Sequence, residues 1–426
     1  MFDIIGIGIG PFNLSLASLL NHKDCHLKTV FFDKKEKFIW HQGMLMPDTT
    51  LQVPFLADLV TMVDPTNKYS FLNYLQEKQR LFQFYFKESF FLPRIEYNSY
   101  CQWVCSQLEN LNFGCLVKQI LPINKGFNVI VECNGKIKNY ECKNLVIGIG
   151  TSPNIPDCTK NIVKNLENQC FHSSDFMKNF DEFLKKKKSD IILVGSGQSA
   201  GEIFYKLIQN DFNNIHWVTD DEGFFPMEYT PLALEHFSPD YMDFFYSLSE
   251  EARKNLLKKQ DFLYKGINSN LLKNIYSMLY QKIILNNEKS IKLNSNLKLI
   301  QTCQNQGKIC CDFVHNYTNT SSKISADYVI LATGYQQASL DFMSELDPCI
   351  KKQPCGSYDI DRNYEVNYQH PNGMGRIFVQ NMGLCTHGVG TPDLGLSAHR
   401  SATIINRILD KEFYKLSRNN ILSNFS

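Results

Sequence analysis

The chain has 426 residues with 44 Lys+Arg against 43 Asp+Glu, a formal net charge of +1. That length supports two or three domains and a large core. The balanced charge excludes a global basic field for nucleic acid or anionic lipid, and no apolar run approaches the roughly 20 residues that span a bilayer.

Phe2 to Ile7 form a short apolar run punctuated and followed by Gly6, Gly8 and Gly10, and Pro11-Phe12-Asn13-Leu14 opens an apolar-periodic stretch to Leu20. The pattern predicts strand, tight glycine turn, helix. Such a turn lets backbone approach a pyrophosphate, and the helix N-terminus offers it free N–H groups and partial positive charge. Pro11 stands at the third glycine position of the generic G-x-G-x-x-G fingerprint, so the turn alone also fits an ordinary glycine turn. His26 to Phe32 reads as a second strand ending at Asp33. An acid about 20 residues past the glycines commonly accepts a ribose hydroxyl; a strand-end turn acid is the plainer alternative.

Trp40 to Asp64 is polar and aromatic with little periodicity, and a loop of that length usually covers a ligand. Phe71 to Phe86 and Tyr97 to Leu108 are helix-like. Val117 to Ile120 and Phe127 to Cys133 read as strands, the second turning at Asn134-Gly135. Leu145 to Thr151 is a buried strand ending in Gly150, and 157 to 188 a polar connection with one helix-like segment. The Lys185 to Lys188 run within it reads as a solvated helix end or loop.

A second strand–turn–helix unit begins at Ile191. Gly195-Ser196-Gly197-Gln198-Ser199-Ala200 fits G-x-G-x-x-A directly, with Ala200 at the close-packed third position. His216 to Thr219 is its second strand. Phe224 to Tyr280 reads as mostly helical, strands return near Ile291 to Ile300 and at Tyr328 to Leu331, and the latter leads into Ala332-Thr333-Gly334-Tyr335. Ile377 to Asn381 and a final helix near Leu394 to Leu409 complete the chain.

The fourteen cysteines are scattered without C-x-x-C, and neither Cys310-Cys311 nor Cys101/Cys105 has metal-site spacing. With no leader ahead of the first strand, the expectation is reduced, mostly buried thiols, no metal, and a cytoplasmic protein. The two glycine units, each with a returning strand that ends in glycine (Gly150, Gly334), define an α/β fold with two Rossmann-like domains and a small mostly helical substrate region. This is a two-dinucleotide flavoprotein pattern, with FAD on the first unit and a nicotinamide on the second. The expected boundaries are 1–165 with 326–426 for FAD and 166–325 for the nicotinamide, including the helical region at about 224–285.

The chain resembles the flavin-dependent N-hydroxylating monooxygenases, the amine hydroxylases of hydroxamate siderophore synthesis. The likeness runs through Gly6-x-Gly8-x-Gly10-Pro11-Phe12-Asn13-Leu14, Trp40-His41-x-Gly43-Met44, Leu51-Gln52, Phe71 to Leu75, Gly195 to Ala200, Ala332 to Tyr335 and Asn381 to Gly388. Pro11 is the residue this family places there. The resemblance implies that NADPH reduces FAD, dioxygen adds to it, and the flavin hydroperoxide oxidises a terminal amine, with no protein residue required as catalytic base. It also implies FAD contacts at Gly6, Gly8, Gly10, Pro11, Asp33, Trp40, His41, Gln52 and Val117. Gly195, Gly197, Gln198, Ser199 and Ala200 fall to the nicotinamide, and Thr333, Gly334 and His387 to the cofactors generally. Core packing for Trp40 and a loop hydrogen bond for His41 remain the plainer alternatives. Dioxygen and a small amine are the expected partners, with no nucleic acid, and relatives suggest a homo-oligomer.

Members acting on ornithine or lysine carry F-[IL]-K-D-L after Leu51-Gln52, where the lysine meets the substrate carboxylate. This chain reads Phe55-Leu56-Ala57-Asp58-Leu59. Met227 precedes Glu228 where ornithine enzymes have asparagine, and Gly395 stands where the amino-acid enzymes have serine. The loss of three polar positions beside a retained acid, Asp393, predicts a substrate without a carboxylate: putrescine or cadaverine rather than lysine or ornithine. Asp393, Glu228 or Asp58 would hold the distal ammonium. Asp220 and Asp221 follow Thr219 where relatives place arginines, which predicts NADPH use with weakened discrimination against NADH. Rival classes are Baeyer–Villiger or sulfur monooxygenases, a disulfide reductase lacking its redox cysteines, and an inactive or sensor-type flavin-binding relative.

Overall fold

The computed structural model describes residues 1–23, 25–288, 290–369 and 375–425. In the first sheet, of seven strands, Phe2–Ile7 lies parallel between Thr29–Phe32 and the C-terminal half of Lys136–Ile147. Ile377–Val379 pairs in parallel along Leu145 to Ile147. Strands covered on both faces read as unbroken apolar runs, and Ile4, Ile5, Leu145 and Val146 are fully buried. Gly6 sits within Phe2–Ile7 because a Cβ there would come within 2.0 Å of the Phe31 ring.

The second sheet is parallel throughout, in the order Cys170–His172, Tyr328–Leu331, Ile191–Val194, Ile215–Val218, Ile291–Asn294. Helix Gln198–Gln209 buries Ile203, Phe204 and Leu207 against it, and Phe204 stacks on Trp217 with ring centroids 4.4 Å apart. An antiparallel sheet of Leu297–Asn305, Lys308–His315 and Ser321–Ala326 extends this unit. The chain crosses between the two large sheets twice. The two crossings pair with each other, Thr151–Pro153 antiparallel to Tyr335–Gln337.

Several expectations need correction. The second strand is only Thr29–Phe32, since His26 takes a left-handed φ of 55°. The helix-like run 71–86 is two helices, Phe71–Glu77 and Leu81–Phe86, broken at Gln79 with φ 56°. The strand ahead of Gly150 begins far earlier, at Lys136, because its first half is an outer strand with an antiparallel partner, Gly126–Cys133. The run at Ile291 to Ile300 is two strands split at Asn296, φ 59°. The boundary expected at 326 precedes Tyr328–Leu331, which lies inside the second sheet, so the chain returns to the first unit only at the Tyr335–Gln337 crossing. The cysteines are not all reduced thiols: Cys115 and Cys133, cross-strand partners with Cα atoms 4.4 Å apart, form a disulfide. Nor are the free thiols mostly buried: five are buried, six are half-buried and Cys355 is exposed.

Candidate active site

The first glycine turn is shaped by a close approach. Gly8 has φ 86°, and a Cβ on it would stand 2.5 Å from the Gly148 carbonyl oxygen, so only glycine fits. Asn13 holds the turn closed: its Nδ2 donates to the carbonyls of Ile7 (3.1 Å), Gly8 (2.8 Å) and Val146 (3.3 Å). Gly10 caps helix Pro11–His22 with no side-chain partner, and Pro11 occupies the first turn, where a missing N–H costs nothing. A Cβ on Gly10 would meet only Gly148 O, at 3.9 Å, so the turn is open at that residue. Those features fit a dinucleotide pyrophosphate. Asp33 takes the Ile9 N–H at 2.7 Å and the Lys35 N–H at 2.8 Å. It braces the turn and keeps lone pairs for a ribose hydroxyl. The Cys115 N–H donates to Asp33 O at 2.8 Å, so the strand bearing Val117 leaves from beside this acid.

Trp40 is fixed by its N–H to Asn98 Oδ1, 3.0 Å, and packs edge-on against His41 (4.4 Å) and Tyr97 (5.3 Å). Solvent reaches the His41 ring, yet protein surrounds it closely enough that burial, then Arg94 and Lys35, push its pKa down to about 4. Tyr335 faces His41 at 5.9 Å and His172 at 5.1 Å, and His172 Nε2 is 2.9 Å from Gly334 O. His172 was not among the sequence candidates.

At the second turn Gly195 has φ 128°, and a Cβ would lie 2.2 Å from Ala332 O. Gly197 caps helix Gln198–Gln209 with nothing within 4 Å of its Cβ position. Ser199 sits in that helix's first turn, and Ala200 is fully buried against the sheet. This cradle fits a second dinucleotide. Asp221 accepts the hydroxyl of Ser196, the middle residue of the turn, and so reaches back over it. Gly334, φ 77°, is likewise open, and Thr333 Oγ1 donates to Asn154 O at 2.6 Å.

Polar side chains tie the two units together across the cleft. Arg94 makes two 2.7 Å hydrogen bonds to Glu202, and Gln198 Nε2 donates to the same Glu202 at 2.7 Å. Gln198 Oε1 accepts the Asn268 N–H at 2.7 Å, and Asn268 Nδ2 donates to Gln52 at 3.2 Å. Gln52 and Gln198, assigned from sequence to different cofactors, are therefore joined through Asn268. Arg94, Glu202 and Asn268 were missed in the sequence. Glu202 alone left a signal there, as a charge among the apolar residues of its helix.

His387 lies in the C-terminal part of the chain, in the short helix Leu384–His387. It is buried, stacked on Tyr364 at 4.5 Å, with Nδ1 2.8 Å from Thr386 Oγ1 and Nε2 3.5 Å from Arg362 O. Burial, then Arg400, presses its pKa to about 3. Both ring nitrogens are engaged by protein atoms of the C-terminal loop and its neighbour Arg362.

The three candidate acids separate cleanly. Asp58 is buried and saturated: it accepts the N–H groups of Val60, Thr61 and Phe71 and the Thr61 hydroxyl. It ties a loop and has no room for an ammonium. Glu228 accepts the Thr230 N–H at 2.8 Å at the protein surface. Asp393 differs. Its Oδ1 takes the Gly395 N–H at 2.7 Å, and burial raises its pKa to about 6 against the opposing pull of that hydrogen bond and Arg400. A Cβ on Gly395 would lie 2.8 Å from Asp393 Oδ1 and 3.8 Å from the Ala57 Cβ. Two of the three altered positions, Ala57 and Gly395, thus lie side by side, and Gly395 is the one hydrogen-bonded to Asp393. Tyr229 is near enough for the Asp393 charge to raise its pKa further after burial has done so, which brings in the segment carrying Met227. Met227 is buried and apolar. Cavities of about 490 Å³ against Met1, Phe2 and Tyr140 and about 520 Å³ against Trp217, Phe224 and Tyr276 touch none of these groups.

Two glycine cradles, one on the mixed first sheet and one on the parallel second sheet, define a fold of the two-dinucleotide flavoprotein class. A model of the L-lysine 6-monooxygenase/L-ornithine 5-monooxygenase family matches residues 1–337. The chain belongs to that family, and it is a flavin-dependent N-hydroxylating monooxygenase. It is 41% identical to a putrescine N-hydroxylase of Shewanella oneidensis over 96% of this chain and 81% of the relative. Among solved structures it resembles the FAD-bound cadaverine monooxygenase of the desferrioxamine pathway from Erwinia amylovora, with TM-score 0.93, 35% identity, and 100% and 98% of the two chains covered. It also resembles an ornithine N-hydroxylase of Kutzneria solved with reduced FAD, NADP+ and L-ornithine, with TM-score 0.90, 25% identity, and 96% and 99% covered. No described helix is long and apolar enough to cross a membrane.

Proposed function

We propose that this protein hydroxylates one terminal amine of an aliphatic diamine, putrescine or cadaverine, in the assembly of a hydroxamate siderophore. FAD is held at Gly8, Gly10, Asp33, Trp40 and His41, and NADPH at Gly195, Gly197 and Ser199. The observation that carries the substrate assignment is the meeting of Ala57, Gly395 and Asp393. The site offers the Asp393 carboxylate, with Arg400 acting on it, and places Ala57 where a lysine would meet a substrate carboxylate, so it suits a distal ammonium better than an amino-acid carboxylate. A relative acting on putrescine and a structural neighbour acting on cadaverine support the same reading.

When bound, the cofactors supply hydride and an activated oxygen from dioxygen. The chain's own residues set what can react. An alkylammonium has a pKa near ~10.4 and must lose its proton to act as a nucleophile. Asp393 draws the charged end of the diamine, while apolar Ala57 and Met227 favour the neutral form along the rest of the pocket. A carboxylate accepts about four hydrogen bonds, so Asp393 can meet an ammonium while keeping the Gly395 N–H. Tyr335 and Trp40 present ring surface that limits water around the bound cofactors. Supply of NADPH and small amines assigns the enzyme to the cytoplasm.

The test is steady-state hydroxylamine formation from putrescine, cadaverine, L-lysine and L-ornithine. The diamines are expected to exceed both amino acids by more than tenfold in kcat/KM. A preference for either amino acid overturns the substrate assignment, and coenzyme oxidation without hydroxylamine overturns the reaction.

A further inference from the structure

Outside the cleft, two thiols distant in sequence lie in direct contact. Cys355 occupies an exposed turn just before Gly356, φ 83°, and Cys385 sits half-buried in the short helix Leu384–His387. Their sulfurs are 2.9 Å apart, with Ser357 Oγ 2.9 Å from Cys355 Sγ. No other thiol among the described residues combines exposure with a sulfur partner at this distance; Cys101, Cys142, Cys170 and Cys311 are buried. The geometry points to Cys355 and Cys385 as an oxidisable dithiol, a modification site at which hydrogen peroxide makes a disulfide joining the 350–368 segment to the helix that carries His387.

The two sulfurs are chemically unequal, as a nucleophile and a resolving thiol must be. Burial pushes the Cys355 thiol up, but hydrogen bonds from Cys385 and Ser357 outweigh it and lower the pKa. Burial and the Cys355 contact push Cys385 up to about 11. The Cys355 thiolate attacks peroxide, breaking the O–O bond to give a sulfenic acid and one water. The Cys385 sulfur then attacks that sulfenic sulfur and expels the second water. Two thiols are oxidised, one peroxide is reduced, and two waters leave. Closure needs the sulfurs to approach by under 1 Å, to the ~2.05 Å of a disulfide. The bond would pin a surface hairpin onto the Tyr364–His387 stack.

The experiment treats the FAD-loaded full chain with equimolar hydrogen peroxide at neutral pH, then alkylates it and maps its peptides without reduction. A Cys355–Cys385 linked peptide is expected before any other cysteine reacts, with two alkylatable thiols lost and regained in dithiothreitol, and with a higher apparent melting temperature while oxidised. The C385S variant is expected to leave a dimedone-reactive sulfenic acid on Cys355, and C355S to leave Cys385 unmodified. Full alkylation of both cysteines after peroxide, earlier consumption of another cysteine, or an intermolecular Cys355 bond overturns the proposal.

Discussion

Asp393 is held protonated more tightly than an ordinary carboxyl, and this has two consequences of opposite sign. Its folded pKa of about 6 lies above the usual 3.8. In the amine-free protein its contribution to stability is therefore fully present below the unfolded value and is lost as pH rises through about 6. Substrate capture needs the ionised form, so it fails in the other direction. Below the amine's pKa of ~10.4, log kcat/KM for a diamine climbs by about 1 per pH unit as neutral amine accumulates. Below pH ~6 the slope is expected to steepen to about 2, because Asp393 is then protonated as well. In Asp393→Asn the slope stays near 1 throughout and kcat/KM at pH 8 falls roughly 10- to 100-fold, the scale of a lost charged hydrogen bond. An unbroken wild-type slope across pH 5 to 8 would count against it. Asp221 makes a second residue-scale prediction. Its exposed carboxylate is bonded to Ser196 of the second glycine turn, and with the nicotinamide coenzyme on that turn it would accept a 2′-hydroxyl and repel a 2′-phosphate. Stopped-flow flavin reduction is expected to show NADH within about tenfold of NADPH, with Asp221→Arg widening the gap toward NADPH; each tenfold is about 1.4 kcal/mol of discrimination.

At the scale of elements, the first turn is a wedge fitted against a neighbouring strand's end. Gly8→Ala adds a Cβ 2.5 Å from Gly148 O at a φ of 86°, so the turn must open. Purified Gly8→Ala is expected to lose most of its FAD, read as flavin absorbance per protein, while its far-UV circular dichroism stays close to wild type. Retention of full FAD content would show that the close approach is dispensable. This unit was legible in the sequence because strand, glycines and helix are contiguous, and Phe2–Ile7 and Pro11–His22 lie where the pattern predicts. Cys170–His172 was not legible: three residues in a polar connection become a strand only by pairing with Tyr328–Leu331. The same limit governed the site. Ala57, Gly395 and Asp393 could be listed as departures from a family pattern, but their adjacency is a fact of packing between distant segments. The inward turn of His387 likewise depends on Tyr364, Thr386 and Arg362 together.

Across the whole molecule, the buried Arg94–Glu202 pair joins the segment beside the first cradle to the helix of the second. Glu202 is 4% exposed and Arg94 12%, and removing one partner of such a pair strands a charge at a cost of about 3–5 kcal/mol. Arg94→Ala is expected to lower the melting temperature and slow coenzyme-dependent flavin reduction, and Arg94→Ala/Glu202→Ala to recover part of the stability. A double variant no more stable than Arg94→Ala alone would deny the pair this role. The pairing of Ile377–Val379 with Leu145 to Ile147 bears on how the chain matures. All strands of the second sheet come from one continuous stretch, 170–331, which can collapse as soon as it leaves the ribosome. The first sheet, begun earliest, must wait with an apolar strand edge unpaired until residues near the end of the chain arrive. Unpaired edges recruit other chains. Truncation after Gln337 should therefore produce aggregate rather than a smaller enzyme, and slow synthesis of the last ninety or so residues would be the step at which yield is decided.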